Sequence, residues 1–307
     1  MNNSELREFF DGCGVVLFDA AMGTALQTAG QPQGTRSEAM NLTAPETVLN
    51  IHRENIKAGS DVVTSNTFGV SAMMLRGGTD REKALLALDE GIRLAKKAAD
   101  EATEPAANGG RKRLACLGLG PTGAIFEPIG DVSYETAEEV FAVQAEAGAN
   151  AGAAFILMET FADAEEFRHA ALAARKAAPE LPVLGTMTFD AGGRSFMGAA
   201  PADAVRIAKE YGLTAIGANC SLDPFEIAGI AAAFTGDVTN GLYVIMQPNA
   251  GQPVREGGEI TYKMTPERFA EGARALIELG ISGIGGCCGT TPKAIAAIRG
   301  IIDNRRE

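Results

Sequence analysis

Histidine is nearly absent from this chain: His52 and His169 are the only two in 307 residues. A nucleophile activated by a histidine base has no material to draw on, and neither does a histidine-rich metal site. Both histidines fall inside helical patterns, where packing or surface roles are expected. Tryptophan is missing altogether. Positive charge is scarce: 27 Lys and Arg against 39 Asp and Glu leave a net charge of −12. That sign argues against nucleic acid or an anionic membrane as a partner. No apolar run approaches the roughly 18 residues of a membrane span. The opening MNNSELREFF lacks the basic and apolar regions of a signal peptide, so a cytoplasmic protein is expected.

Five cysteines, an odd number, do not make a disulfide framework in a chain of this kind. Cys287 and Cys288 are neighbours, and a disulfide between neighbours is strained. Metal ligation or redox chemistry remains open to them.

What the chain does have is alternation. Short apolar runs predict strands near Val15–Asp19, Asp61–Ser65, Leu114–Leu119, Phe155–Glu159, Pro182–Thr188, Ala215–Asn219, Leu242–Gln247 and Gly283–Gly286. Their continuous apolar character suits parallel strands covered on both faces. Helical patterns lie between them at Pro45–Ala58, Glu82–Glu101, Ser133–Asn150, Asp163–Ala178, Pro201–Tyr211, Pro224–Phe234, Pro266–Leu279 and Pro292–Ile302. Several open on a proline, which suits a first helical turn. The expected fold is α/β, a (β/α)₈ TIM barrel, with residues 1–307 as one domain. A doubly wound open sheet is the alternative, because alternation does not prove closure. The polar stretch Thr103–Arg113 reads as a surface connection.

The unusual residues gather at the C-terminal ends of the strands, where barrels of this kind carry their active sites. Cys220 ends the sixth strand, and Cys287 and Cys288 end the eighth. Zinc takes thiolate ligands in tetrahedral geometry, and a catalytic site leaves one position open. Three cysteines from two nearby strand ends would supply three ligands, with glycines allowing the backbone to bend around the pair. The competing reading is three small buried residues; convergence at one barrel mouth favours the metal. Cys116, inside the third strand, reads as core, and Cys13 has no supporting context. Asp19 and Glu159 are acids at the ends of apolar strands, where burial is costly without a partner. They either clamp the ammonium of an amino-acid substrate or cap the turns that follow. Asn66 and Asn249 are equally well turn residues or site residues.

Two features look informative and are set aside. Gly118-Leu-Gly120-Pro-Thr-Gly123 matches the dinucleotide fingerprint literally, but Glu127-Pro128-Ile129-Gly130 prolongs the loop where a helix is required. Met73 and Met74 read as packing.

With those residues in hand, the chain resembles the homocysteine S-methyltransferase family over essentially its whole length. The motifs are Asp19-Ala-Ala-Met-Gly23-Thr24, Gly120-Pro-Thr-Gly, Met187-Thr-Phe-Asp-Ala-Gly-Gly-Arg-Ser, Gln247-Pro-Asn-Ala-Gly and Gly285-Gly-Cys-Cys-Gly-Thr-Thr-Pro292, with the Cys220 segment. They are most similar to the homocysteine-binding barrel of cobalamin-dependent methionine synthase. The resemblance implies a zinc ion on Cys220, Cys287 and Cys288, with the thiol of homocysteine in the fourth position and methionine as product. It implies that Asp19 and Glu159, with backbone around Gly23 and Thr24 and with Asn66 nearby, hold the amino-acid end. It also implies Asn249 on the zinc before substrate arrives. No cobalamin motif Asp-x-His-x-x-Gly occurs, so any cobalamin is expected on a separate methylcorrinoid protein. A transferase using S-methylmethionine or betaine directly stays open, as does a non-catalytic thiol-binding or corrinoid-docking module.

Overall fold

The computed structural model describes residues 1–32, 34–103, 111–237, 241–256 and 259–305. Seven strands, β1 (Val16–Leu17), β2 (Val62–Thr64), β3 (Leu114–Leu119), β4 (Ile156–Phe161), β5 (Val183–Met187), β6 (Ala215–Asn219) and β7 (Tyr243–Gln247), are followed by a hairpin. The hairpin consists of β8 (Val254–Glu256) and β9 (Glu259–Thr261), and β10 (Gly283–Ile284) completes the set. The large sheet runs β1-β10-β7-β6-β5-β4-β3-β2, and all its pairings are parallel. The last strand thus returns to the first. This is the ordering of a barrel and not of a doubly wound sheet.

The remaining seam, between β1 and β2, is stitched by carboxylates where a ladder would otherwise run. The amide of Asp61 donates to Leu17 O at 2.6 Å, and Leu17 N donates to Asp61 Oδ2 at 3.0 Å. Farther along the two strands, Thr64 N and Oγ1 donate to Asp19 Oδ2 and Oδ1 at 2.9 and 3.1 Å. Asp61 is 1% exposed and is charge-balanced by Arg113 at 2.7 Å and Arg299 at 2.5 Å. The arginines come from the head of β3 and from the last helix, so one buried ion cluster ties four parts of the barrel together.

The barrel interior away from the mouth is apolar. Val16, Phe18, Val62, Leu114, Cys116, Phe155, Leu157, Leu184, Ala215 and Ile245 form one cluster. Leu6 and Phe10 of the helix Asn3–Cys13 pack into it and plug that end. This helix was not among the expected ones, although Asn2 and Glu5 form its capping box. Cys116 is core, as expected, and Met73 and Met74 pack inside Val70–Arg76.

Most expected elements lie within a few residues of the observed ones. One helix starts late: Ala228–Asp237 replaces Pro224–Phe234. Asp223 Oδ1 accepts from the amides of Phe225 and Glu226, and that side-chain turn takes the donors a helical start would leave free. Ser133 caps Tyr134–Asn150 by accepting from Thr136 N, without the glutamate of a full capping box. No helix follows the glycines of residues 118–123 until Tyr134. A Cβ on Gly120 would lie 2.4 Å from Phe68 O, so that glycine serves close packing of two loops. Of the expected connection Thr103–Arg113, residues 104–110 lie outside the described residues. Among the described residues no helix is long and apolar enough to cross a membrane.

Two expected outcomes follow from the buried polar groups. Asp61→Ala strands Arg113 without its partner and should cost about 3–5 kcal/mol in urea unfolding, whereas a surface pair such as Arg76–Asp80 should cost under about 1 kcal/mol. His52 is fully buried, neither ring nitrogen has a hydrogen-bond partner, and burial pushes it down to about 4. The unfolded chain takes up this proton near ~6.5 and the folded chain does not. Stability from neutral His52 is therefore complete above that pH and falls as pH drops toward 4, by about 3 kcal/mol in all. His52→Leu should flatten this part of a pH-stability curve measured against the parent.

Candidate metal and substrate site

The C-terminal ends of the strands enclose a cavity of about 390 Å³. β1 and the turn after it contribute Asp19 to Thr24, β2 contributes Thr64 to Asn66, and β4 contributes Glu159 and Thr160. β6 contributes Cys220, β7 contributes Gln247, and the turn after β10 contributes Gly286, Cys287 and Cys288. Segments distant in sequence meet here because a parallel barrel puts all its strand ends on one face.

The three cysteines converge. Their sulfurs lie within 4.8 Å of one another, and Cys220 Sγ is 4.0 Å from Cys288 Sγ. Backbone bonds lock the turns that carry them. Cys220 N donates to Gln247 O at 3.1 Å, Cys287 N to Pro248 O at 2.8 Å, and Ala250 N to Cys288 O at 2.9 Å. Cys220 and Ser221 adopt left-handed φ of 64° and 57°, a conformation that side chains disfavour. The tight turn closes with Leu222 N on Cys220 O at 2.6 Å. Strain of this kind persists where neighbouring structure over-determines it. Gly289, at φ 79°, is required twice: by that angle and because a Cβ would meet the Tyr262 ring at 2.1 Å. The thiols do not share protons evenly. Hydrogen bonds from Cys220 and Cys287 favour the thiolate of Cys288, drawing it down to about 3, and the same contacts push Cys287 up.

Across the cavity stand the acids. Burial pushes Asp19 up to about 7 despite its two bonds from Thr64, and pushes Glu159 up to about 8, with the nearby charges of Asp19 and Cys220 adding to it. Glu38, absent from the sequence-derived candidates, also lines the cavity, buried, and accepts from Gly69 N at 2.6 Å. A glutamate in a polar stretch carries no sequence signal of burial. Among the residues lining the cavity there is no Lys, Arg or His.

Gly23 and Thr24 lie in the first turn of the helix Met22–Thr28, whose leading amides lack intrahelical acceptors. Thr24 Oγ1 accepts from Gly289 N at 3.0 Å, which joins this turn to the cysteine turn. Asn66 lines the cavity, but its amide donates to Ser37 O and Asn41 Oδ1 at 2.7 and 2.8 Å, anchoring the loop above. Asn249 is buried between the two cysteine turns, and its Oδ1 has no partner; Gln247 Oε1 is in the same condition. His52 and His169 stay away from the mouth. Tyr262, which nothing in its local sequence marks out, lies over Gly289 with its hydroxyl bonded to Cys288.

Comparison with known proteins covers nearly all of this frame. A family model for homocysteine S-methyltransferase matches residues 16–302. Methionine synthase from Mycobacterium tuberculosis is 30% identical over 301 residues, 94% of this chain and 25% of that protein. Methionine synthase from Mycobacterium leprae is 30% identical over 295 residues, 92% of this chain and 24% of that protein. The chain therefore spans about a quarter of the length of these curated relatives. The homocysteine methyltransferase MmuM from Escherichia coli, in its metallated form, superposes with a TM-score of 0.77 at 23% identity, covering 96% of this chain and 99% of that one. At that identity the likeness is one of fold. The family match begins at the first residue of β1 and runs through the last helix, so it takes in every strand end that builds the cavity, and the chain belongs to the homocysteine S-methyltransferase family.

Proposed function

We propose that this barrel methylates the thiol of homocysteine to give methionine, with zinc held by Cys220, Cys287 and Cys288. The observation that carries the reading is the meeting of three sulfurs and the Asp19 and Glu159 carboxylates in one cavity without a cationic side chain. A tetrahedral site with Zn–S bonds of about 2.3 Å needs sulfurs roughly 3.8 Å apart. The 4.0 Å between Cys220 and Cys288, and the 4.8 Å limit for all three, fit that requirement. Zinc bound there would supply the positive charge that keeps a thiol deprotonated at neutral pH. Asn249, with its buried and unpartnered Oδ1, is the fourth donor we assign to the state before substrate.

The chain's own groups would do the rest. Asp19 and Glu159 are pushed up because burial leaves their charge uncompensated. A substrate ammonium between them supplies the missing countercharge and returns both to the ionised form. Thr64 fixes the Asp19 carboxylate through two bonds. The free amides of the turn at Gly23 and Thr24 suit the substrate carboxylate. Held at that end, a short amino acid would turn its thiol toward the cysteines that line the same cavity. No side-chain base is needed once the thiol is deprotonated, which agrees with the scarcity of histidine.

We assign the methyl donor to a separate methylcorrinoid protein. Support comes from the rim, where Ile129 and Phe196, in the loops after β3 and β5, are 81% and 90% exposed, beside the exposed Ile125 and Met197. Exposed apolar side chains suit a protein surface better than a small polar donor. Direct use of S-methylmethionine or betaine is the competing reading. Methionine formation assayed with methylcobalamin, S-methylmethionine and glycine betaine separates them.

Purified protein should carry about one zinc per chain. Cys288→Ser should lose most of it, while Cys116→Ser should retain it; undiminished zinc in Cys288→Ser would remove the site. Glu159→Gln should raise KM for homocysteine by about 10–100-fold with a smaller change in kcat, the effect of losing one charge-assisted bond.

A further inference from the structure

Glu159 follows Leu157 to the inside of the barrel by the ordinary alternation of β4, and the strand turns irregular directly after it. β4 pairs with β5 as Met158↔Gly185 and then as Phe161↔Met187, so Glu159 and Thr160 stand opposite the single residue Thr186. The extra residue, Thr160, makes a β-bulge that brings Thr160 to the cavity beside Glu159 and sends Phe161 to the outer core. Thr160 occupies a left-handed φ of 64°, unfavourable for a β-branched residue. Something outside β4 must hold it there.

The side chain of Asn219 does so from the end of β6, reaching past β5. Its Oδ1 accepts from Thr160 N at 2.8 Å, and its Nδ2 donates to Thr160 Oγ1 at 2.6 Å. Asn219 is 1% exposed and fixed by pairing with Gln247 of β7. The second hydrogen of Nδ2 faces Cys287 Sγ at 3.9 Å. Both donors and the acceptor of this amide are therefore committed. One side makes a two-point clamp on the bulge, and the other touches the cysteine cluster.

We infer that Asn219 is a positioning residue for substrate selection: its amide clamps Thr160, fixes the irregular backbone directly after Glu159, and so holds that carboxylate in place for the amino group of the thiol substrate. This rests on the reading of the cavity as a homocysteine site. The clamp sets the position of the carboxylate relative to the sulfurs, because Asn219 is the residue before Cys220. An amino acid with its thiol at the cysteines then finds the carboxylate at a fixed distance, and a thiol without the amino group gains nothing from it.

The test compares two ligands on zinc-loaded protein by calorimetry: homocysteine, and 4-mercaptobutanoate, which keeps the thiol and carboxylate and lacks the amino group. The parent should prefer homocysteine. Asn219→Ala should reduce that preference by about tenfold or more, the loss expected when a buried charged contact is misaligned, and should keep its zinc. Adding Thr160→Gly, which tolerates the left-handed backbone without a clamp, should restore part of the preference. Thr160→Ala alone, which deletes the Oγ1 acceptor together with the γ-methyl and keeps the bond from Thr160 N, should move it in the same direction by a smaller factor and serves if Asn219→Ala does not fold. Unchanged preference in the Asn219 and Thr160 variants overturns the inference, as does an equal loss of affinity for both ligands. A parent that does not discriminate the two ligands overturns the homocysteine reading itself, and the inference with it.

Discussion

The constraint on which this site depends is uncompensated negative charge. Three thiols and the carboxylates of Asp19 and Glu159 share one cavity whose lining offers no Lys, Arg or His. In a protein interior such a set cannot ionise as a whole unaided: Cys288 is the one thiol whose anion its neighbours favour. The set either keeps its protons or takes up positive charge from outside. Asp19 and Glu159 show the first response, with both acids displaced upward to about 7 and about 8. The function proposed here is the second response: a metal cation at the sulfur end and an ammonium at the carboxylate end. A zwitterionic thiol is the kind of ligand that meets both requirements at once.

The barrel makes this possible by keeping its own cations elsewhere. Arg113 and Arg299 are buried around Asp61, at the opposite end of the seam between β1 and β2 from Asp19. The two aspartates thus do related work with different balances. Asp61 is neutralised by arginines and closes the seam. Asp19 also bridges the seam, through Thr64, but is left without a cation at the mouth. In place of the turn cap weighed for Asp19 in the sequence, the structure has a bridge to Thr64 of β2, and those hydrogen bonds leave its charge unanswered.

Much of the fold was legible because the barrel strands are buried on both faces and therefore read as apolar runs. β3 and β6 match their expected limits, and the cysteines, lying at strand ends, could be located from topology alone. What escaped detection depends on contacts between segments. The helix Asn3–Cys13 is an exception that was legible, since Leu6, Phe9, Phe10 and Cys13 stand at helical spacing behind the Asn2–Glu5 cap. The bulge at Glu159 and Thr160 exists through a side chain 59 residues further along the chain. Glu38 and Tyr262 are ordinary residues in their local sequence and become part of the site only by folding. The late start of Ala228–Asp237 shows a proline signal overruled by the side-chain turn of Asp223.

The most direct test of the account is to count sulfurs around the metal by X-ray absorption at the zinc edge, before and after homocysteine is added. The account predicts zinc with sulfur from the three cysteines in the free protein, and one further sulfur once homocysteine binds. Zinc absent from the protein, or a sulfur count unchanged by saturating homocysteine, would contradict it.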